Sequence, residues 1–117
     1  MIKEFAFVGV PVTDLPRARK FYEEVLGLEL EGEASEKNVE YKVGRGTLMI
    51  ANYGDQWLPA KGGTLAAFEV DDVDALTEKV KASGAVIAVA PMDSPVCRFS
   101  MVLDPDGNSL MIHRRQA

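Results

Sequence analysis

Val8-Gly-Val-Pro-Val-Thr-Asp-Leu-Pro-Arg-Ala-Arg-Lys-Phe-Tyr-Glu-Glu-Val-Leu-Gly-Leu28 decides the fold of this chain. Val8, Val10 and Val12 alternate along an apolar run that stops at Thr13-Asp14, a helix-start signal. Helical spacing then runs through Leu15, Ala18, Tyr22 and Val25, widened by Phe21 and Leu26, until Gly27. The segment reads strand, cap, helix, stop. The same order returns from Val70-Asp71-Asp72-Val73 to Gly84, with Val12 and Val70, and Asp14 and Asp72, each 58 residues apart. One unit is used twice.

Working outward, residues 3 to 12 are expected as the first strand. Its β-branched side (Ala6, Val8, Val10, Val12) should pack beneath the helix, and Phe5, Phe7, Gly9 and Pro11 should face the other way. Pro11 cannot donate a ladder hydrogen bond and belongs near a strand end or edge. Leu28 to Ala34, Val39 to Val43 and Thr47 to Tyr53 follow as three strands joined by short turns, hence antiparallel neighbours. Residues 54 to 63 form the one candidate linker. Beyond it come a strand (Thr64 to Val70), a helix (Asp72 to Ser83, with Val73, Leu76 and Val80 inward) and three strands (Ala85 to Ala90, Val96 to Leu103, Ser109 to Arg114). Asp104-Pro105-Asp106-Gly107 joins the last two as a turn. The chain is therefore expected to be one α+β domain of two βαβββ modules, residues 1–53 and 64–117.

Composition narrows the function classes. A 117-residue chain with 47% hydrophobic and 26% charged residues can bury a core of its own. A net charge of -5 offers no long-range attraction to nucleic acid or to an anionic membrane, so neither is an expected partner. The apolar run Phe5 to Thr13 is too short to span a bilayer and lacks a cleavage site after it, which implies a cytoplasmic protein. Cys97 is the one cysteine, expected as a small buried strand residue rather than a nucleophile. Gly44-Arg45-Gly46 and Gly62-Gly63 match no phosphate loop.

Val-Thr-Asp-Leu, Phe-Tyr-Glu-Glu-Val-Leu-Gly-Leu, the repeat at Val-Asp-Asp-Val and the closing Asp-Pro-Asp-Gly-Asn together resemble the vicinal-oxygen-chelate superfamily of glyoxalase I, bleomycin-resistance proteins, fosfomycin-resistance transferases and extradiol dioxygenases. The resemblance covers the whole chain. It implies sheets curled around a small-molecule cavity, commonly in a homodimer. In metal-using members, four strand positions supply His, Gln or Glu to a divalent ion. Counting back from Asp14 and Asp72 places two of these at Phe7 and Leu65, and matching the strands before the linker and after the Asp-Pro-Asp-Gly turn places the others at Ile50 and Met111. A slip of one residue on the strand before the linker offers Met49 or Ala51 instead. Hydrocarbons and one soft thioether are poor ligands for Mg, Mn, Ni or Zn, so no metal or other cofactor is expected, which weighs against metal-dependent glyoxalase I chemistry.

If those positions face a cavity, alternation brings Leu48, Asn52, Ala67, Glu69, Ser109 and His113 to the same faces, with Phe99 and Met101 beside His113 and Met111. Such a mostly apolar lining suits a small organic molecule. Glu69 is a candidate general base or partner of a cationic ligand, although a carboxylate at a strand end is more often simply solvated. His113, the one histidine, is a candidate catalytic or ligand-binding residue but stands close to a terminal strand end. Trp57 reads as a lid over a ligand or as a plug in a dimer contact. The leading expectation is a metal-independent binding protein of the bleomycin-resistance type, homodimeric, with an apolar or aromatic ligand. The alternative is a lyase, isomerase or dioxygenase of the same superfamily using Glu69, His113 or a relocated metal.

Overall fold

The computed structural model describes residues 1–116 and divides into two compact units, Met1–Pro59 and a second that begins at Ala60. The boundary falls inside the expected linker. Each unit is one four-stranded mixed sheet with one helical segment, and the two repeat the βαβββ order.

In the first unit β1 (Val8–Pro11), β2 (Glu29–Glu31), β3 (Asn38–Val43) and β4 (Gly46–Ala51) are arranged β1-β4-β3-β2. The pairing of β1 with β4 is parallel and the other two are antiparallel. Residues 3 to 7, expected in the first strand, lie outside it, because β4 ends its pairing at Val8 and gives them no ladder partner. Pro11 closes an edge strand, where its missing N–H costs nothing. The helix α1 (Leu15–Lys20) starts at Asp14, whose carboxylate accepts the Arg17 N–H at 3.0 Å, and continues into a π-helical turn over Phe21–Val25. There the Leu26 N–H bonds the Phe21 carbonyl, and Val25 and Leu26 at the close of the widened turn are only half-buried. Leu15, Ala18, Phe21 and Tyr22 supply the buried stripe against Val10, Tyr41, Leu48 and Ile50. Tyr22 stacks on Tyr41, with ring centroids 6.2 Å apart. Gly27, at φ +72°, ends the segment with a backbone that side-chain-bearing residues avoid.

The second unit carries β5 (Ala66–Glu69), α2 (Val73–Ala82), β6 (Ile87–Asp93), β7 (Cys97–Leu103) and β8 (Ser109–Arg115) in the order β5-β8-β7-β6. Again the first strand pairs parallel to the last. Asp72 caps α2 by accepting the Ala75 N–H at 3.0 Å, as Asp14 caps α1. Val73 and Val80 point into the core as expected, but Thr77 is buried between them and Leu76 is only half-buried. Thr77 is accommodated because its hydroxyl is bonded both to the Val73 carbonyl and to the Ser100 hydroxyl of β7. Cys97 is buried in β7. The β6 strand runs to Asp93, three residues past its expected end, with bulges that shift its register against β7. At the β7–β8 turn, Asp104 is buried and its carboxylate accepts the N–H groups of Asp106 and Asn108 as well as the Asn108 side-chain amide.

Candidate functional site

The strand registers show which residues of each unit are equivalent. In the second unit Ala67 pairs with Met111 and Glu69 with His113, while β7 sets Met101 beside Met111 and Phe99 beside His113. In the first unit the matching pairs are Gly9 with Met49 and Pro11 with Ala51, while β3 sets Glu40 beside Met49 and Asn38 beside Ala51. Met49, not Ile50, is therefore the counterpart of Met111.

That register corrects three residues of the expected lining, Leu48, Ile50 and Asn52. Leu48 and Ile50 are 2% and 0% exposed because they lie on the sheet face covered by α1, the face that also carries Tyr41 and Val10. Asn52 continues their side of the strand, where its amide donates to the Thr13 carbonyl at 3.2 Å and so ties β4 to the start of α1. None of these three shares a face with Phe7. The face of the first unit turned away from α1 instead carries Phe7, Gly9, Pro11, Met49 and Ala51.

The linker folds back onto that face. Trp57 packs against Gly9, so closely that a Cβ added to Gly9 would stand 2.7 Å from the indole Cη2 and 3.5 Å from Phe7 Cε2. Tyr53 stacks on Trp57 at a centroid distance of 6.5 Å, and its hydroxyl accepts the Asn38 side-chain amide at 2.9 Å. A short 3-10 turn, Gly54–Gln56, brings the two aromatic residues together.

In the second unit the expected face is the observed one. Ser100, Val102, Leu110 and Ile112 are buried on the α2 side, so Ala67, Glu69, Phe99, Met101, Ser109, Met111 and His113 occupy the other side, while Leu65 stands just before β5, outside the paired strand. Phe99, Met101 and Met111 are half-buried there. Ser109 stands at the end of the strand, its hydroxyl donating to the Lys61 carbonyl.

The two polar candidates meet on this face. His113 Nδ1 lies 2.6 Å from Glu69 Oε1, and Glu69 Oε2 accepts the Arg115 N–H at 2.7 Å. Both bonds arise from the parallel register, which puts residues 44 positions apart side by side. The Arg115 amide and, secondarily, the His113 ring hold the Glu69 carboxyl below the usual carboxylate range. Glu69 is thus not a merely solvated strand end. Its side chain is 55% exposed and that of His113 only 23%. Chemically, an ionised carboxylate orients an imidazole whose remaining nitrogen can give or take a proton.

With Met49 in place of Ile50, the positions at which the resemblance expects metal ligands are Phe7, Met49, Leu65 and Met111. Two hydrocarbons and two thioethers do not fit a hard divalent ion. Among the described residues no group of three or more His, Cys, Asp or Glu side chains is placed to hold one either. No helix among them is long and apolar enough to cross a membrane.

Residues 4–112 match the family model described as the Glyoxalase/Bleomycin resistance protein/Dioxygenase superfamily. Similar curated proteins include a probable lactoylglutathione lyase of Vibrio parahaemolyticus, 30% identical over 91% of this chain and 87% of that protein, and a Vibrio cholerae protein of the same name with the same identity and coverage. Among solved structures, TnmS3, an antibiotic binding protein from Streptomyces sp. CB03234, superposes with a TM-score of 0.80 at 25% identity, covering 98% of each chain. A glyoxalase/bleomycin resistance protein from the same organism gives 0.77 at 26% identity, over 95% of this chain and all of the other.

Proposed function

The chain belongs to the Glyoxalase/Bleomycin resistance protein/Dioxygenase superfamily, and from that premise we propose that it is a metal-independent binding protein that takes up an apolar or aromatic small molecule as a homodimer. The observation that carries this reading is the face of the second unit turned away from α2. Ala67, Phe99, Met101 and Met111 offer hydrocarbon, aromatic ring and thioether, and one Glu–His pair supplies the polar contact. Thioethers adapt to irregular ligands and contact aromatic rings favourably. The antibiotic-binding name of TnmS3 supports the same class of activity. The lyase name of the Vibrio proteins is not transferred, since Phe7, Met49, Leu65 and Met111 leave a metal-dependent lyase without its ligands.

Thermal unfolding with a panel of hydrophobic and aromatic compounds tests the proposal, because a specific ligand raises the melting temperature in proportion to its concentration. A flat response across the panel sinks it. Mass measurement in solution tests the dimer. A second reading is favoured by the 2.6 Å contact of Glu69 with His113, which could serve a lyase or isomerase as a proton-transfer pair. Turnover of a panel compound, lost in His113→Phe, would establish it.

A further inference from the structure

His113 is the one histidine of the chain and sits, three-quarters buried, on a face otherwise made of Phe99, Met101, Met111 and Ala67. Its Nδ1 is engaged by Glu69, across β5. Its Nε2 has no hydrogen-bond partner among the described residues, and on β7 the residue paired with His113 is Phe99. Glu69, held ionised by the Arg115 amide, can only accept at Oε1, so Nδ1 carries the proton. In the neutral ring Nε2 is therefore a hydrogen-bond acceptor, strengthened by the carboxylate behind it. Arg115, next on the same side of β8, contributes its backbone amide to Glu69. The apolar neighbours Phe99, Met101 and Met111 offer Nε2 nothing to bond.

From this geometry we infer that the ligand is an aromatic compound carrying an acidic hydroxyl, a phenol or an enol, which donates to His113 Nε2, with Glu69 as the positioning residue. The inference rests on the binding function proposed above and names the class of its ligand. A phenolic hydroxyl donates to Nε2 of the neutral ring. The aromatic body lies over Phe99 and the two methionines, where offset ring stacking and sulfur contacts are available. An aliphatic alcohol has a hydroxyl but no ring for that surface, and an unsubstituted arene leaves the Nε2 lone pair desolvated and unmet.

The test compares matched pairs, 2-naphthol against naphthalene and 9-phenanthrol against phenanthrene, by titration calorimetry and by the nitrogen NMR signals of the single imidazole. The hydroxylated member should bind about tenfold more tightly, the size of one well-placed hydrogen bond. It should also shift the Nε2 resonance, while the plain arene leaves it in place. His113→Phe should bring each pair to equal affinity, and Glu69→Gln should narrow the gap and change the tautomer signals of the free protein. Equal affinity within both pairs and an unmoved Nε2 signal in the wild-type protein would overturn the inference while leaving the binding function standing. Failure of all four compounds to bind would remove both. The wild-type NMR comparison decides the matter even where a variant does not fold.

Discussion

Trp57 rests on Gly9 with no room for another atom between them: the nearest indole carbon is 2.7 Å from where a Cβ would stand. Glycine is needed at this strand position because of the ring above it, not because of its backbone angles, since Gly9 is not among the positive-φ glycines. Gly9→Ala should push the indole off the face and loosen its stacking with Tyr53. As an overpacking change it should cost about 1–3 kcal/mol of stability. Because Trp57 is the one tryptophan, the displacement is directly readable as a red shift of intrinsic fluorescence. An unchanged emission spectrum would mean that Trp57 does not hold this position in solution.

The buried hydroxyls of Thr77 and Ser100 have a determined direction. Thr77 spends its one hydrogen on the Val73 carbonyl at 2.6 Å, so Ser100 must be the donor in the 2.7 Å contact between them. Thr77→Val would strand the Ser100 O–H in the core and should cost about 1–3 kcal/mol. Ser100→Ala removes a donor instead and should cost less. The double substitution should be milder than the sum of the two, which chemical denaturation of all four proteins would measure as a coupling energy. Additive effects would show that the pair is not bonded.

Glu23 links α1 to β3, receiving the Arg19 guanidinium at 2.7 Å and the Tyr41 hydroxyl at 2.8 Å. The bond from Arg19, with that from Tyr41, lowers its carboxyl pKa against the opposing effect of burial. A carboxylate depressed in the folded state contributes stability above its unfolded pKa of about 4.3, and loses it as pH falls through the lower folded value. Glu23→Gln should therefore flatten the acid limb of the stability profile. Tyr41 has the opposite sign: burial, then the bond to Glu23, pushes its phenol well above the ordinary value. Its contribution is intact below an unfolded pKa of about 10 and declines as pH rises beyond it. Ultraviolet titration should find that Tyr41→Phe removes one tyrosine from the set that ionises only on alkaline unfolding.

Ala67 stands opposite Met111 on the face assigned to ligand binding and is itself exposed. Ala67→Trp should fill that face with an indole while leaving the α2 core untouched. The expected outcome is loss of any compound-induced rise in melting temperature, with the ligand-free melting temperature within a few degrees of wild type. A variant that still responds to compounds would move the site elsewhere.

How far the sequence anticipates this structure depends on where the controlling signal lies. Asp14 and Asp72 cap helices and Gly27 and Gly84 end them because such signals are local and act within a turn. The face of β8 was readable for a similar reason: Ser109, Met111 and His113 differ in kind from Leu110 and Ile112, and the adjacent turn fixes its pairing with β7. In β4 the four residues Leu48, Met49, Ile50 and Ala51 are all apolar, so alternation carries no information. A one-residue miscount there reverses the strand, which is how Ile50 came to be expected where Met49 stands. The meeting of Glu69 with His113 was hidden because a parallel register between strands 44 residues apart is set by the packing of everything between them.

The strand order has a kinetic side as well. In each unit the last strand lies between the first and the third, so β4 and β8 are inserted rather than appended. During synthesis β1 and β5 emerge first but have no partner until their module's final strand leaves the ribosome. Until then each module exposes a hairpin pair on one side and a lone strand edge on the other. Closure of the parallel pair brings together the most distant residues of the module and so carries its largest loop-closure cost. The same late event that completes the sheet also creates the Glu69–His113 contact, so an incompletely folded second unit lacks its one polar handle.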